Sequence, residues 1–433
     1  MAQPLTFTVL ARSARTGARL GRVETVHGGF DTPAFMPVGT RASVKGLLPE
    51  LVRGTGSQIV LNNTYHLMLR PGSELIEKLG GVHRFMNWSG PILTDSGGYQ
   101  AYSLSDTNRV TDEGVRFKSI VDGSEVMLSP ERAVQVQNEL GADIIMALDD
   151  CPPSIDPREG SPHEARLLAA TKRDARRGEY SHHERLDEAN ERTVRWLERC
   201  KAAHGAGERQ SLFGIVQGGT DLGRRDWSLE RVCGVELPGY AIGGVAVGES
   251  SDDIARVVRH TAPKLPAGKP RYLMGVGYER DIVAAVCAGI DMFDCVLPTR
   301  NGRNANAFTR TGQIRLRNAK FAEDAGPIEP GCDCAACQPA GAGWTTPEGR
   351  PFSRAYLRHL FMVGEMLGPI LVSLHNVRHF QRLMLDIRNA VRDDDWPLFV
   401  RQWPVAAAGV PAGLADSPVG GAGWGIGGAS CPG

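Results

Sequence analysis

Short apolar runs that end in a polar or glycine residue recur along this chain. Eight of them stand out: AFMPVG (34–39), QIVLN (58–62), PILTD (91–95), DIIMALD (143–149), LFGIVQ (212–217), YAIGGVAV (240–247), RYLMGV (271–276) and DMFDCVL (291–297). Near-continuous apolar runs of this length are what strands covered on both faces of a parallel sheet require. Between several of them the apolar spacing changes to that of a helix, as in SPERAVQVQNELG, where Ser129 is placed to cap, Pro130 to open and Gly141 to end a helix. EANERTVRWLERC, SDDIARVVRH and ERDIVAAVCAG read the same way. Eight strand–helix alternations predict an α/β fold of the (β/α)8 barrel class.

The pattern differs at the two ends. LTFTVLA and RLGRVETV alternate around Thr16-Gly17 and predict an antiparallel hairpin, placed as a lid on the bottom of the barrel. The stretch FSRAYLRH…RDDDW is apolar at helical spacing and predicts two packed helices. Three units follow: a catalytic barrel with its hairpin over 1–310, a metal-binding subdomain with closing helices over 311–400, and a low-complexity, disordered tail over 401–433, rich in Ala, Gly and Pro.

Composition narrows the function. With 49 basic and 49 acidic residues, the formal charge is zero, which excludes a blanket attraction to nucleic acid or anionic lipid. Any polyanion site must be local, and the segment 299–320 supplies one: it carries six basic residues and no acidic one. No run of about 18 apolar residues exists and the N-terminus has no leader pattern, so a cytoplasmic protein is expected. Nine cysteines, an odd count, point to reduced thiols and metal ligation rather than a disulfide framework.

Three of those cysteines, Cys332, Cys334 and Cys337, form C-x-C-x2-C, a soft-metal cluster that lacks one ligand. His359, His375 and His379 lie downstream, and each can complete it. Four protein ligands leave no open position, which makes the metal structural.

Asp95 follows an apolar strand and precedes Ser96-Gly97-Gly98, where backbone amides can approach a ligand. Asp294 interrupts an apolar run in which an unpaired charge is costly to bury. Asp149, Gln217 and Gly243-Gly244 also fall at strand ends, and Tyr99 stands near Asp95. A carboxylate, an amide, exposed main chain and an aromatic face together suit the edge of a planar heterocycle.

DSGGYQ, LDDC, FGIVQGG, GGVAVGE, MGVG, FDCVLPTRNGR and CDC-x2-C with a later His-Asn occur in this order. Together they closely resemble the bacterial tRNA-guanine transglycosylases, over about residues 5 to 400. The resemblance implies a zinc-bearing (β/α)8 barrel, a pentosyltransferase that acts in queuosine biosynthesis. Such an enzyme exchanges guanine at the wobble position of tRNA for 7-aminomethyl-7-deazaguanine, through a covalent enzyme–tRNA intermediate.

Carried over by motif, the resemblance makes Asp294 the nucleophile and Asp95 the proton acceptor for the incoming base. It implies base binding by Asp95, Ser96, Gly97, Gly98, Tyr99, Asp149, Cys151, Gln217, Gly244, Val245, Val247 and Met274. RNA contacts fall to Gly275, Val276, Gly277, Tyr278, Glu279, Arg280 and Asp281, and to Thr299, Arg300, Asn301, Gly302 and Arg303. His375 becomes the fourth zinc ligand, with one structural zinc per subunit of a homodimer. Cys151 and Val247 are the residues that accompany the aminomethyl base in bacterial members.

Three departures stand out. Tyr278-Glu279 replaces the usual Lys-Pro, Asp150 replaces the usual Glu, and a Gly- and Pro-rich insert follows Cys337. Two competing readings are a non-catalytic tRNA-binding partner, which would not need both aspartates, and a metal-dependent barrel hydrolase, which would need histidines at the strand ends.

Overall fold

The computed structural model describes residues 4–104, 108–154, 156, 181–343 and 347–414. All eight apolar runs become strands of one closed parallel barrel: Ala34–Gly39, Val60–Asn62, Ile92–Thr94, Ile144–Met146, Ser211–Val216, Gly239–Ile242, Arg271–Leu273 and Met292–Cys295. The last pairs with the first in parallel register, Asp294 opposite Met36, and closes the ring. Six of the eight strands are shorter than their apolar runs, and in most of these the end residues of the run turn out of the ladder into loops at one rim.

Helices cover the outside. In Pro130–Leu140 the Ser129 hydroxyl accepts the Arg132 amide at 3.2 Å, and Gly141 ends the helix at φ 76°. His182–Ala203, Leu222–Gly234, Ser251–Thr261 and Glu279–Cys287 follow the next four strands. The two C-terminal helices are Arg354–Val363 and the long Leu367–Asp393. The second packs against the first strand, with Gln381 Nε2 donating to Phe35 O at 3.0 Å and Arg388 Nη1 to Pro33 O at 2.8 Å.

The N-terminal hairpin pairs Thr6–Arg12 with Arg19–Thr25, and a third strand, Gly28–Thr32, extends it to a sheet. Leu5, Val23 and Phe30 pack with Met36, Leu61, Phe213 and Met292 inside the barrel, so this sheet plugs the N-terminal rim. Arg19 and Asp291, both fully buried, pair at 2.5 Å just below the last strand. A second small sheet, Arg109–Thr111, Gly114–Lys118 and Glu125–Leu128, is inserted after the third barrel strand.

The composition-based tail boundary at 401 is too early. Trp396–Gln402 runs past it as helix, and a 3-10 turn over Pro404–Gly409 packs on Glu279–Cys287, where a Cβ on Gly409 would overlap Arg280 O. Buried Trp403 and Ala406 give this segment an apolar reason to dock. The remainder of the tail, from 415, lies outside the described residues. No described helix is long and apolar enough to cross a membrane.

Candidate active site

At the C-terminal rim a cavity of about 260 Å³ is lined by Asp95, Ser96, Tyr99, Asp149, Cys151, Gly244, Val245, Val247, Met274, Gly275 and Asp294. Strand ends from around the ring therefore deliver the sequence-predicted residues to one place. Leu61, Gln100, Gly243, Ala246, Tyr272, Cys295 and Val296 complete the lining. Gly97, Gly98 and Gln217 stand behind it: Gly97 turns at φ 77° against Tyr65, and Gly98 lies against Leu148 and the Asp149 carbonyl.

Asp294 is held by one oxygen. Tyr272 Oη donates to Oδ1 at 2.5 Å and the Gly275 amide donates to the same atom at 2.9 Å. Burial raises its pKa above the usual carboxylate value, against these two bonds. Its other oxygen accepts no side-chain hydrogen bond among the described residues, and the residue lines the cavity.

Asp95 sits across the cavity, at the start of the helix Thr64–Leu69. The Thr64 amide donates to Oδ1 at 2.9 Å, and Asn63 Nδ2 donates to Oδ2. Asn63 also caps the helix, accepting the His66 amide at 3.0 Å. Burial pushes the Asp95 carboxyl up to about 7; the Thr64 amide opposes this and the Asp294 charge adds to it. A carboxylate tuned there can take a proton near neutral pH.

Asp149 accepts Gln217 Nε2 at 2.5 Å and Ser96 Oγ at 3.3 Å, and burial raises it to about 6. Gly243 and Gly244 must lack side chains here: a Cβ on either would overlap the Gln217 amide, and Gly244 has φ 61°. Buried Arg225 fixes that turn, donating Nη1 to Gly243 O at 2.7 Å and Nη2 to Gly244 O at 2.9 Å. Sequence reasoning missed Arg225, Asn63 and Tyr272. Only Tyr272 had a signal, as the polar-tipped residue that alternates inward in RYLMGV.

The RNA-assigned segments divide. Gly275, Tyr278, Arg280 and Arg300 are exposed, and Asp281, Asn301 and Arg303 partly so. Val276, Gly277, Glu279, Thr299 and Gly302 are buried. Glu279 faces inward, where His379 Nε2 donates to its Oε1 at 2.8 Å. Asp150 is taken by Arg185 at 2.6 Å and Arg192 at 2.6 Å.

Cys332, Cys334, Cys337 and His375 are all buried and converge, with His375 Nδ1 at 3.6, 3.5 and 3.4 Å from the three sulfurs. His375 Nε2 donates to Phe308 O at 2.8 Å, which leaves Nδ1 free to ligate. The four groups fit a tetrahedral ion: metal–sulfur and metal–nitrogen lengths of about 2.3 and 2.0–2.1 Å give an S···N edge of about 3.5 Å. His359 and His379 are not in this cluster.

A (β/α)8 barrel with two buried, strand-end carboxylates lining one rim cavity, and a separate buried Cys3His group of a kind that holds a metal ion, defines a barrel enzyme class. Within that class the chain belongs to the queuine tRNA-ribosyltransferase family, whose model matches residues 14–407. It is 49% identical over 388 residues to the queuine tRNA-ribosyltransferase of Pelotomaculum thermopropionicum, covering 90% of this chain and 95% of that protein. It is 46% identical over 397 residues to that of Lysinibacillus sphaericus, covering 91% and 94%.

Proposed function

We propose that this protein exchanges guanine at the wobble position of tRNA for 7-aminomethyl-7-deazaguanine, as a pentosyltransferase of queuosine biosynthesis. The observation that carries the reading is the opposed pair: Asp294 anchored through one oxygen, and Asp95 tuned to about 7.

Asp294 attacks the ribose anomeric carbon, the glycosidic bond breaks, and guanine leaves with the bonding pair, to be protonated. A carboxylate ester to the ribose then holds the tRNA, as in a retaining glycosidase. Asp95 takes a proton from the incoming base, whose nitrogen attacks the same carbon and returns Asp294 to the carboxylate form. Asp149 and Gln217 offer an acceptor and a donor to the base edge, and Tyr99 at the cavity wall offers a stacking face. A loop base turned out of its stack can enter such a cavity.

Cys151 and Val247 both line the cavity, which supports the aminomethyl base as the substrate. Asp150 is bound by two arginines and so supports the wall rather than the base. The Cys3His group is assigned one structural zinc, which would lock the C-terminal helix to the 332–337 loop. A homodimer finds support in exposed Tyr356, Met362, Val363, Met366 and Leu367, around the turn between the two C-terminal helices. A tRNA substrate supports a cytoplasmic location.

The test is Asp294→Asn. It should fold, release no labelled guanine from tRNA and form no covalent adduct; full exchange by this variant would refute the nucleophile. Guanine, the aminomethyl base and queuine offered side by side should show the aminomethyl base incorporated and queuine refused.

A further inference from the structure

Asp143 opens the apolar run that becomes strand Ile144–Met146, so its charge lies at the N-terminal rim, at the opposite end of that run from Asp149. A buried carboxylate there needs partners, and three separate parts of the chain supply them. The His27 amide donates to Oδ1 at 3.2 Å and the Ile92 amide to Oδ2 at 2.8 Å. His27 Nδ1 lies 2.8 Å from Oδ1, and His83 Nε2 lies 3.0 Å from Oδ2. His27 stands on the exposed turn between the second and third strands of the N-terminal sheet, and His83 on the helix Gly81–Met86.

The main-chain amides fix the carboxylate, and two imidazoles converge on it. Their rings are stacked, with centroids 3.7 Å apart and planes at 18°. Two protonated rings in such contact repel, and one carboxylate offsets only one of them. A divalent ion suits the arrangement better, because each ring then serves as a neutral lone-pair donor with its single proton on the far nitrogen. Ligand atoms of all three residues lie within 4.8 Å of one another. Metal–ligand lengths of about 2.0–2.2 Å at right angles span about 2.8–3.1 Å, which matches both N···O separations. Hydrogen bonds alone would also satisfy those separations, but they do not require the second imidazole to lie face to face on the first.

We propose that His27, His83 and Asp143 form a second metal site, for a divalent first-row transition ion such as zinc, with its remaining positions taken by water. Two imidazoles select such an ion over magnesium or calcium, which prefer all-oxygen shells. The ligands come from the N-terminal sheet, from a helix between the second and third barrel strands, and from the start of the fourth. A bound ion therefore ties the sheet that plugs the barrel to the barrel itself. The site is distinct from the Cys3His group and lies at the rim opposite Asp95 and Asp294, so its role is to stabilise the fold and not to perform chemistry.

The experiment uses the full chain with its Cys3His metal in place, after passage over a weak chelating resin. Zinc is titrated by calorimetry and counted by mass spectrometry. Wild type should take up one equivalent beyond the first, and its melting temperature should rise with zinc. Loss of an outer-shell partner typically weakens a metal by about 10–100-fold, so loss of a ligand in His27→Ala should weaken the second equivalent by more than about 100-fold. That variant should keep the first equivalent and its guanine exchange, while its melting temperature no longer responds to zinc. His83→Ala should lose the second equivalent too. His27→Gln keeps a polar side chain at the turn without a good transition-metal ligand, so it must lose the ion even where the alanine variant folds poorly. A wild type that takes up no second equivalent would overturn the site and leave the three residues a hydrogen-bonded brace. Retention of the second equivalent by His27→Gln or His83→Ala would overturn it by placing the ion elsewhere.

Discussion

Tyr272 and Asp294 stand on neighbouring parallel strands, and the phenol donates to Asp294 Oδ1 at 2.5 Å. Together with the Gly275 amide this bond fixes the plane of the carboxylate, so the free oxygen is aimed rather than merely present. Tyr272→Phe keeps the buried ring and removes only the tether. Loss of orientation should lower the rate of covalent-adduct formation by roughly 10-fold or more, with KM for tRNA little changed. Quench-flow trapping of the adduct measures it, and an unaltered rate would show that Gly275 alone suffices.

The Asp95 carboxyl, raised to about 7, sets a pH dependence. Accepting a proton requires the ionised form. Below pH 7 the ionised fraction falls about tenfold per unit, so base incorporation from the trapped intermediate should rise with pH and level off above about 7. Stability runs the other way. The native state holds the Asp95 proton more tightly than the unfolded chain does, so this group's contribution declines as pH rises from the unfolded carboxylate value towards 7. Single-turnover incorporation and urea midpoints across pH 4.5–8.5 should therefore move in opposite directions.

Both carboxylates were legible in the sequence because a charge at the end of an apolar run costs free energy unless something uses it. The barrel was legible for the same kind of reason, since strands buried on both faces read as continuous apolar runs. Gly28–Thr32 was not, since two glycines and an aspartate hide its one buried apolar residue, Phe30. Asn63 and Arg225 were also invisible: their roles depend on where a helix start and a buried guanidinium meet loops distant in sequence. Glu279 misled because its motif neighbours are exposed while its own side chain turns inward to His379.

That inward turn yields its own prediction. Glu279 opens the helix that follows the Gly275 loop, and its partner His379 lies on Leu367–Asp393, so the pair ties the loop that supplies Asp294's amide donor to the C-terminal helix. Glu279→Lys should not add a tRNA contact. It should bury a cation against His379 and lower stability by about 3–5 kcal/mol, whereas Glu279→Gln, which keeps an acceptor, should lose much less. Denaturant titration of both variants separates this from a surface role, which would leave the midpoints together.

The Cys3His group predicts a coupling between metal and RNA binding. His375 and Asn376 are adjacent on the long helix. Asn376 Nδ2 donates to Pro298 O and Asn306 O at 3.0 Å each, and Ser373 packs on Gly302. The metal group therefore shares a helix with the contacts that hold Leu297–Arg303 in place. Cys334→Ser should lose about one equivalent of metal, because structural sites seldom tolerate a missing thiolate. Thermal stability should fall, and KM for tRNA should rise more than the rate of chemistry drops, since Tyr272 and Asp95 are held from elsewhere in the ring. Metal content by mass spectrometry and steady-state kinetics on the same preparation test both halves. Full metal content in the variant would reject the ligand set, while metal loss with unchanged KM would confine the group to local folding.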